Sequence, residues 1–443
     1  MRDLDGVPAV HSGREVTIGS AHNQALDSEP CSSATPLGCG LSHVTFALVR
    51  LVRGILQFRV DAGRIPDEIC APPRRSPSTP TQVPGGRPCP IRLAATTADS
   101  MPTASYDWRC IDTDLERAPM SKPYSDAADI PVNASQPVLA YHPVTLDVPG
   151  RPVPLAVKVS IPATGTDLPL ILLSHGHGPA NFLSSYNGYG PLANFFAAHG
   201  FAVIQPTHLD STALGLRDTD LKDAPLFWRD RATDMHHILD RLDDIEAAVP
   251  GLAERRIDRD RVGAVGHSMG GNTVSLLLGA RMLDPEDDRP KDLSDSRVKA
   301  GVLIGAPGIG NDEHFAEWAK TNYPVLYYTD FEQMTGTGLI IVGDQDLNPH
   351  FSNRLSYRAD AYSASPGGNK TMVTMYGAGH IFGGISGYDA AETDDENPER
   401  VATLRALVWA YLRSQLYSGD PSWKDAVNAL ENGEDPMAMV ETR

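Results

Sequence analysis

Val262-Gly-Ala-Val-Gly-His-Ser-Met-Gly-Gly271 is the stretch that most limits how this chain can fold. A short apolar run, Val262 to Val265, reads as a buried strand. Gly266-His-Ser-Met-Gly270 is a G-x-S-x-G pentapeptide, and a helix-like run follows over Asn272 to Arg281. A serine on so sharp a strand-to-helix turn is held in strained backbone geometry with its hydroxyl above the sheet edge. Glycines two residues to either side remove the Cβ atoms that would clash there. The helix that follows points free N–H groups and a positive dipole end at the same spot. In a chain with 39 glycines among 443 residues the bare pentapeptide means little. Its place between a β-type run and a helix gives it weight.

The rest of the chain is regular from about residue 137. Val138 to Val148 and Val153 to Ile161 read as strands joined at Pro149-Gly-Arg151, a hairpin signal. Leu168 to Leu173 is a continuous apolar run, as expected of a strand buried on both faces. A helix is expected over Pro191 to His199, stopped by Gly200, and a strand over Phe201 to Ile204. Arg229 to Val249 carries Ala232, Met235, Ile238, Leu239, Leu242 and Ile245 at helical spacing and reads as one helix ended by Pro250-Gly251. Further strands are expected at Val298 to Ile304, Leu339 to Val342 and Met372 to Met375. A closing helix, Pro398 to Leu416, presents Val401, Leu404, Leu407, Val408 and Leu412 on one face. Strands alternating with amphipathic helices imply an α/β fold, a mostly parallel central sheet with helices on both faces. Ligands in such sheets bind at the carboxyl ends of the strands.

Four chemically loaded loops follow four of these strands. Ser174-His-Gly-His-Gly178 follows Leu168–Leu173, Ser268 follows the elbow strand, Gly343-Asp-Gln-Asp346 follows Leu339–Val342, and Gly377-Ala-Gly-His380 follows Met372–Met375. The order Ser, Asp, His is the one a serine hydrolase on this kind of sheet uses. A serine hydroxyl is a poor nucleophile at neutral pH and needs a base, and histidine titrates in the right range. An acid must then hold the imidazole in the right tautomer. Ser268 is the expected nucleophile, His380 the base and Asp346 the acid, with Asp344 as a competitor for the last role. The expected oxyanion donors are the backbone N–H groups of Met269 and His177. His175 is expected to brace its loop.

Ser174-His-Gly-His-Gly178, the Gly266–Gly271 elbow and Ile257-Asp-Arg-Asp-Arg-Val262 resemble the α/β-hydrolase branch that groups platelet-activating-factor acetylhydrolases, chlorophyllase-like enzymes and cutinase-type polyester hydrolases, often labelled dienelactone-hydrolase-like. The resemblance covers residues 137–416. It implies an α/β-hydrolase fold, an oxyanion N–H at His177 and the triad acid at Asp346. True dienelactone hydrolases carry a cysteine nucleophile where this chain has Ser268. Secreted polyester hydrolases carry a C-terminal disulfide, and here no cysteine follows Cys110.

For the substrate pocket, Phe182, Tyr186 and Tyr189 are expected as wall material, and the long connection from Thr207 to Trp228 as a partial cover. Phe382 to Tyr388 is expected to close one side. His208 is read either as pocket lining or as a surface or core residue. Such a cleft suits a neutral ester or lactone of small to medium size, cleaved through an acyl-enzyme. An acyltransferase or a non-catalytic ligand-binding protein on the same fold is the alternative. Asp284 to Asp295 reads as a solvated acidic loop.

Residues 1–100 differ in character: no lysine, ten arginines, nine acids, and seven prolines between Pro72 and Pro90. That composition reads as a low-complexity, disordered extension, or as a mis-assigned start with Met101 as the true beginning. The apolar island Val44 to Val60 carries arginines that argue against a membrane span, leaving a surface-lying amphipathic helix as an option. Residues 101–136 are the expected linker, 137–416 the catalytic domain and 417–443 a tail with a short helix. A net charge of −18 argues against nucleic acid as a partner. All five cysteines, Cys31 to Cys110, precede the regular region and form no C-x-x-C pair, and His236-His237 lacks a second ligand motif. No metal or cofactor is therefore expected. A small-molecule ester is the expected partner, with no integral membrane segment. Without a convincing secretory signal, a cytoplasmic location is expected.

Overall fold

The structure, a computed structural model, describes residues 130–443 apart from 312, 388 and 389. The proposed extension, its cysteines, the Val44–Val60 island, Met101 and Tyr388 lie outside the described residues. Within them, strands β1 (Val138–Leu146), β2 (Leu155–Pro162) and β3 (Leu168–Ser174) are followed by helix α1 (Gly190–Ala198) and β4 (Ala202–Pro206). Helices α2 (Trp228–Asp240), α3 (Leu242–Ala248) and α4 (Leu252–Arg255) lead into β5 (Ile257–His267) and α5 (Met269–Leu277). Then come β6 (Arg281–Asp284), β7 (Arg289–Asp292), β8 (Val298–Ile304), α6 (Glu317–Asn322), β9 (Thr329–Asp330) and β10 (Gly338–Gly343). The chain closes with α7 (Asp360–Ser363), β11 (Lys370–Met375), α8 (Pro398–Leu416), α9 (Ser422–Glu431) and β12 (Ala438–Thr442).

Nine strands form the main sheet in the order β1-β2-β4-β3-β5-β8-β10-β11-β12. The run from β4 to β11 is parallel, and β1, β2 and β12 join antiparallel at the edges. Side chains alternate across a strand, so β3, buried along its whole length, serves two cores at once. Leu168, Leu170 and Leu172 pack with α2, α3 and α5, while Ile171 and Leu173 pack with α1 and α8. The expected face of α8 is the buried one. Val401, Leu404, Leu407, Val408 and Leu412 are all fully buried, each contributing about 1.5–3 kcal/mol of apolar transfer. A charge at Leu412 would break that seam. The helix starts where its sequence says: Pro398 fills the first turn and Asn397 Oδ1 accepts the Arg400 N–H at 2.9 Å.

Four local expectations are corrected. The Arg229–Val249 helix is two helices. At Arg241 (φ −115°) the N–H reaches both the His237 and Ile238 carbonyls, at 3.0 and 3.2 Å, and the side chain turns to the Asp147 carbonyl. The ladder tightens there and restarts at Leu242, although both pieces keep their apolar faces in one core. The elbow helix begins at Met269 and ends at Leu277 rather than Arg281, because Gly279, at φ +108°, turns the chain into β6. Asp284–Asp295 is not a loop: β6 and β7 pair, β9 joins them, and Asp284 is buried against Arg229 at 2.8 Å. Residues 417–443 carry the expected helix and then add β12 to the main sheet beside β11.

Candidate active site

Gly266 and Gly270 explain the elbow in steric terms. A Cβ on Gly266 would collide with the Gly270 carbonyl, and one on Gly270 with the Ser174 carbonyl of the neighbouring strand. Both residues must be glycine for the turn to close this tightly. Ser268 between them sits at φ +54°, ψ −120°, a conformation L-residues rarely adopt. Its N–H is anchored to the Ile304 carbonyl at 2.8 Å, so β8 holds the turn in place.

The three expected side chains meet. Ser268 Oγ lies 3.0 Å from His380 Nε2, and His380 Nδ1 lies 2.9 Å from Asp346 Oδ2. Asp346, not Asp344, is the imidazole's partner. Its carboxylate is nearly buried, and the adjacent Arg358 and His380 outweigh burial to hold it well below the usual carboxylate range. With the carboxylate ionised, Nδ1 carries the proton and Nε2 faces the serine hydroxyl as an acceptor.

Met269 N–H opens α5 and has no intrahelical carbonyl behind it, and His177 N–H has no acceptor among the described residues. His177 directs its ring elsewhere: Nδ1 is 2.8 Å from buried Asp210, and Nε2 is 3.4 Å from the Tyr323 hydroxyl. His175 braces the loop as expected, with Nδ1 on the Gly176 carbonyl at 2.8 Å and Nε2 accepting the His208 N–H at 3.0 Å.

A cleft of about 130 Å³ opens over this array, lined by His177, Leu226, Ser268, Met269, Tyr323, Leu326, Asn348, Phe351, Arg358 and His380 among others. Leu226 comes from the long 207–228 connection, as a partial cover would. Of the residues read from the sequence as pocket lining, Phe182, Tyr186, Tyr189, His208, Trp228 and Phe382, none lines this cleft. Phe182 is exposed on a separate surface hollow. Tyr186 leans on His142 at 5.7 Å. Trp228 is buried and faces a neighbouring cavity of about 230 Å³, which shares only Leu226 and Tyr323 with the cleft. Phe382 is fully buried, edge-on to His267 at 6.2 Å, because the glycines after it turn the chain inward. His208 is fully buried too: its Nε2 meets Ser174 Oγ at 3.0 Å and its Nδ1 meets Asp234 at 2.9 Å.

Tyr189, expected as wall material, is instead fully buried and shapes the site from behind together with His267, which was not singled out from the sequence. Gly176 N–H donates to the Tyr189 hydroxyl at 2.9 Å, that hydroxyl meets His267 Nδ1 at 2.8 Å, and His267 Nε2 meets the His380 carbonyl at 2.8 Å. Nε2–H must donate to a carbonyl, so Nδ1 accepts and His267 is neutral, with burial and then His380 pushing it down to about 3. The loop carrying His177 is thereby tied to the loop carrying His380. The only sequence signal was that His267 occupies the first variable position of the pentapeptide.

Among the described residues no group of three or more His, Cys, Asp or Glu side chains could hold a metal ion, and no helix is long and apolar enough to cross a membrane. A parallel sheet with its polar machinery at the strand ends and a serine on a strained elbow defines a hydrolase of the α/β class. Residues 170–404, more than half of the chain, match the alpha/beta hydrolase family, and the chain belongs to it. No curated protein matches the chain.

Proposed function

We propose that this protein is a serine hydrolase that cleaves small or medium carboxylic esters or lactones through an acyl-enzyme. The observation that carries the reading is the continuous relay from Ser268 through His380 to Asp346, opening onto a cleft. In this reading His380 Nε2 takes the Ser268 proton as Oγ attacks the ester carbonyl carbon, and Asp346 stabilises the imidazolium that forms. The oxyanion points at the N–H groups of His177 and Met269. Collapse breaks the bond to the alcohol oxygen, which leaves with the proton from His380. Water then attacks the acyl-enzyme, gives a proton to His380, and the second collapse releases the acid and returns that proton to Ser268. The Ser174–Gly178 and Gly266–Gly271 motifs support a place in the branch of platelet-activating-factor acetylhydrolases and chlorophyllase-like enzymes.

A fluorophosphonate probe tests this directly. The expected result is labelling of the intact chain and none of Ser268→Ala. An intact, folded chain that refuses the probe overturns the reading, and ester product in place of acid when an alcohol competes with water would make it an acyltransferase.

A further inference from the structure

The triad acid has two cationic neighbours, and one of them is only half used. Arg358, 4 % exposed, places Nε 3.2 Å from Asp346 Oδ2, the same oxygen that His380 Nδ1 faces at 2.9 Å. Its terminal nitrogens have no acceptor among the described residues, and the side chain lines the cleft beside Ser268 and His380. Two other arginines have their terminal nitrogens engaged. Arg354, four residues earlier, puts both terminal nitrogens on Asp360 at 2.7 Å, and Arg231 spreads its guanidinium over Asp210, Thr273, Ser174 and the His175 carbonyl.

A guanidinium cannot shed its charge, so terminal N–H groups left open in a nearly buried site are matched to an anion with planar, two-point geometry. The charge count points the same way. Asp346 supplies one negative charge to a permanent cation, Arg358, and to the imidazolium that forms on His380. An anion on the substrate would neutralise Arg358 and leave Asp346 to the imidazolium. We infer that the cleft takes an ester that carries a free carboxylate close to its scissile carbonyl, held by the terminal N–H groups of Arg358. This rests on the hydrolase reading above and departs from the neutral ester expected from sequence. Carboxylate is favoured over phosphate because no lysine and no second arginine lines the cleft, so a dianion would leave one charge uncompensated.

The test compares kcat/KM for monoethyl succinate and diethyl succinate with the full chain at pH 8. The half-ester should be favoured by about tenfold or more, through KM and kcat together. Arg358→Met should bring the ratio near one, and Arg358→Lys, which keeps the charge but not the two-point fork, should retain only part of it. A wild-type ratio at or below one, or a ratio unchanged in Arg358→Met, overturns the inference. Should Arg358→Met fail to fold, inhibition of diethyl succinate hydrolysis in the unaltered chain decides. Inhibition by succinate well beyond succinamide supports the carboxylate, while equal inhibition, or stronger inhibition by inorganic phosphate, overturns it. Equal turnover of both esters sinks this inference alone. Failure to turn over either ester, with Ser268 refusing the fluorophosphonate, takes the hydrolase reading down with it.

Discussion

Ser268–His380–Asp346 and Ser174–His208–Asp234 have the same connectivity and the same spacing, 3.0 Å from hydroxyl to imidazole and 2.9 Å from imidazole to carboxylate in each. Both serines stand at the carboxyl ends of neighbouring strands, β3 and β5. The surroundings differ. Ser268 is thrown onto a positive-φ turn beside a cleft, and the His380 side chain keeps 30 % of its surface exposed. Ser174 and His208 are fully buried, and Ser174 Oγ also accepts an N–H from Arg231 at 3.3 Å. Burial first, and Arg231 next, hold His208 well below 6.5, so its ring resists the proton a general base must take. The buried array is a structural brace behind the loop of His175 and His177. Hydrogen-bond geometry alone does not separate a brace from a candidate triad; access and the freedom to become charged do.

The largest expected contrast lies at the serines. Ser268→Ala should lower ester turnover by about 10⁴-fold or more while leaving thermal unfolding close to that of the parent chain. Ser174→Ala should keep most of the turnover per folded molecule and lose about 1–3 kcal/mol of stability, because His208 loses a donor and Arg231 an acceptor. Reversed outcomes would exchange the roles assigned to the two arrays.

The acids sharpen the same contrast. Asp346→Asn should cut turnover by about 10⁴-fold. Asp234→Asn should act on folding instead, by about 1–3 kcal/mol, since an amide has one oxygen and cannot accept from both Arg151 Nε and His208 Nδ1, each 2.9 Å away. Urea unfolding and p-nitrophenyl ester kinetics on both variants read the two effects separately. An Asp234→Asn chain that is stable but inactive would break the distinction.

The local fold was legible in the sequence where local chemistry is self-contained. Gly266, Ser268 and Gly270 announce the elbow, and the spacing from Val401 to Leu412 announces α8 and its buried face. The same logic, a polar residue after each strand, finds Ser174 and His208 as readily as Ser268 and His380. It cannot say which loop another element covers. Arg231 and Asp234 fall outside the apolar spacing of their helix, yet both are buried because α2 sets Arg231 against Asp210, Ser174 and the His175 carbonyl. β6 and β7, four residues each, are too short to show a strand period, and only their pairing with each other and with β9 makes them strands. Arg358 carried no motif at all; its contact with Asp346 exists only once the chain is folded.

The smallest expected effect is on pH dependence. His175 and His208 lie well below 6.5 and His267 lies at about 3, all chiefly through burial, so the unfolded chain takes up protons first on acidification. The stability these rings contribute is present above about pH 6.5 and is lost as pH falls toward their folded values. Asp234 runs the other way: burial, against the pull of Arg151, lifts it from 3.8 to about 6, so its contribution is full below 3.8 and fades as pH rises through 6. Burial also lowers His199 and also lifts Asp230 to about 6, so four rings stand against two carboxyls and give a net loss on acidification. The unfolding midpoint should fall from pH 7 to pH 5, and a midpoint that rises over that range would show that burial does not set the charge of the brace.

The tether from the Gly176 amide through Tyr189 and His267 to the His380 carbonyl exists in one protonation pattern only. A second proton on His267 would aim an N–H at an oxygen that already receives the Gly176 N–H, leaving the phenol hydrogen without its acceptor. Acid would therefore slacken the loop of His177 and the loop of His380 in a single event. Neither half can be retuned by substitution at Tyr189 or His267 without disturbing the other.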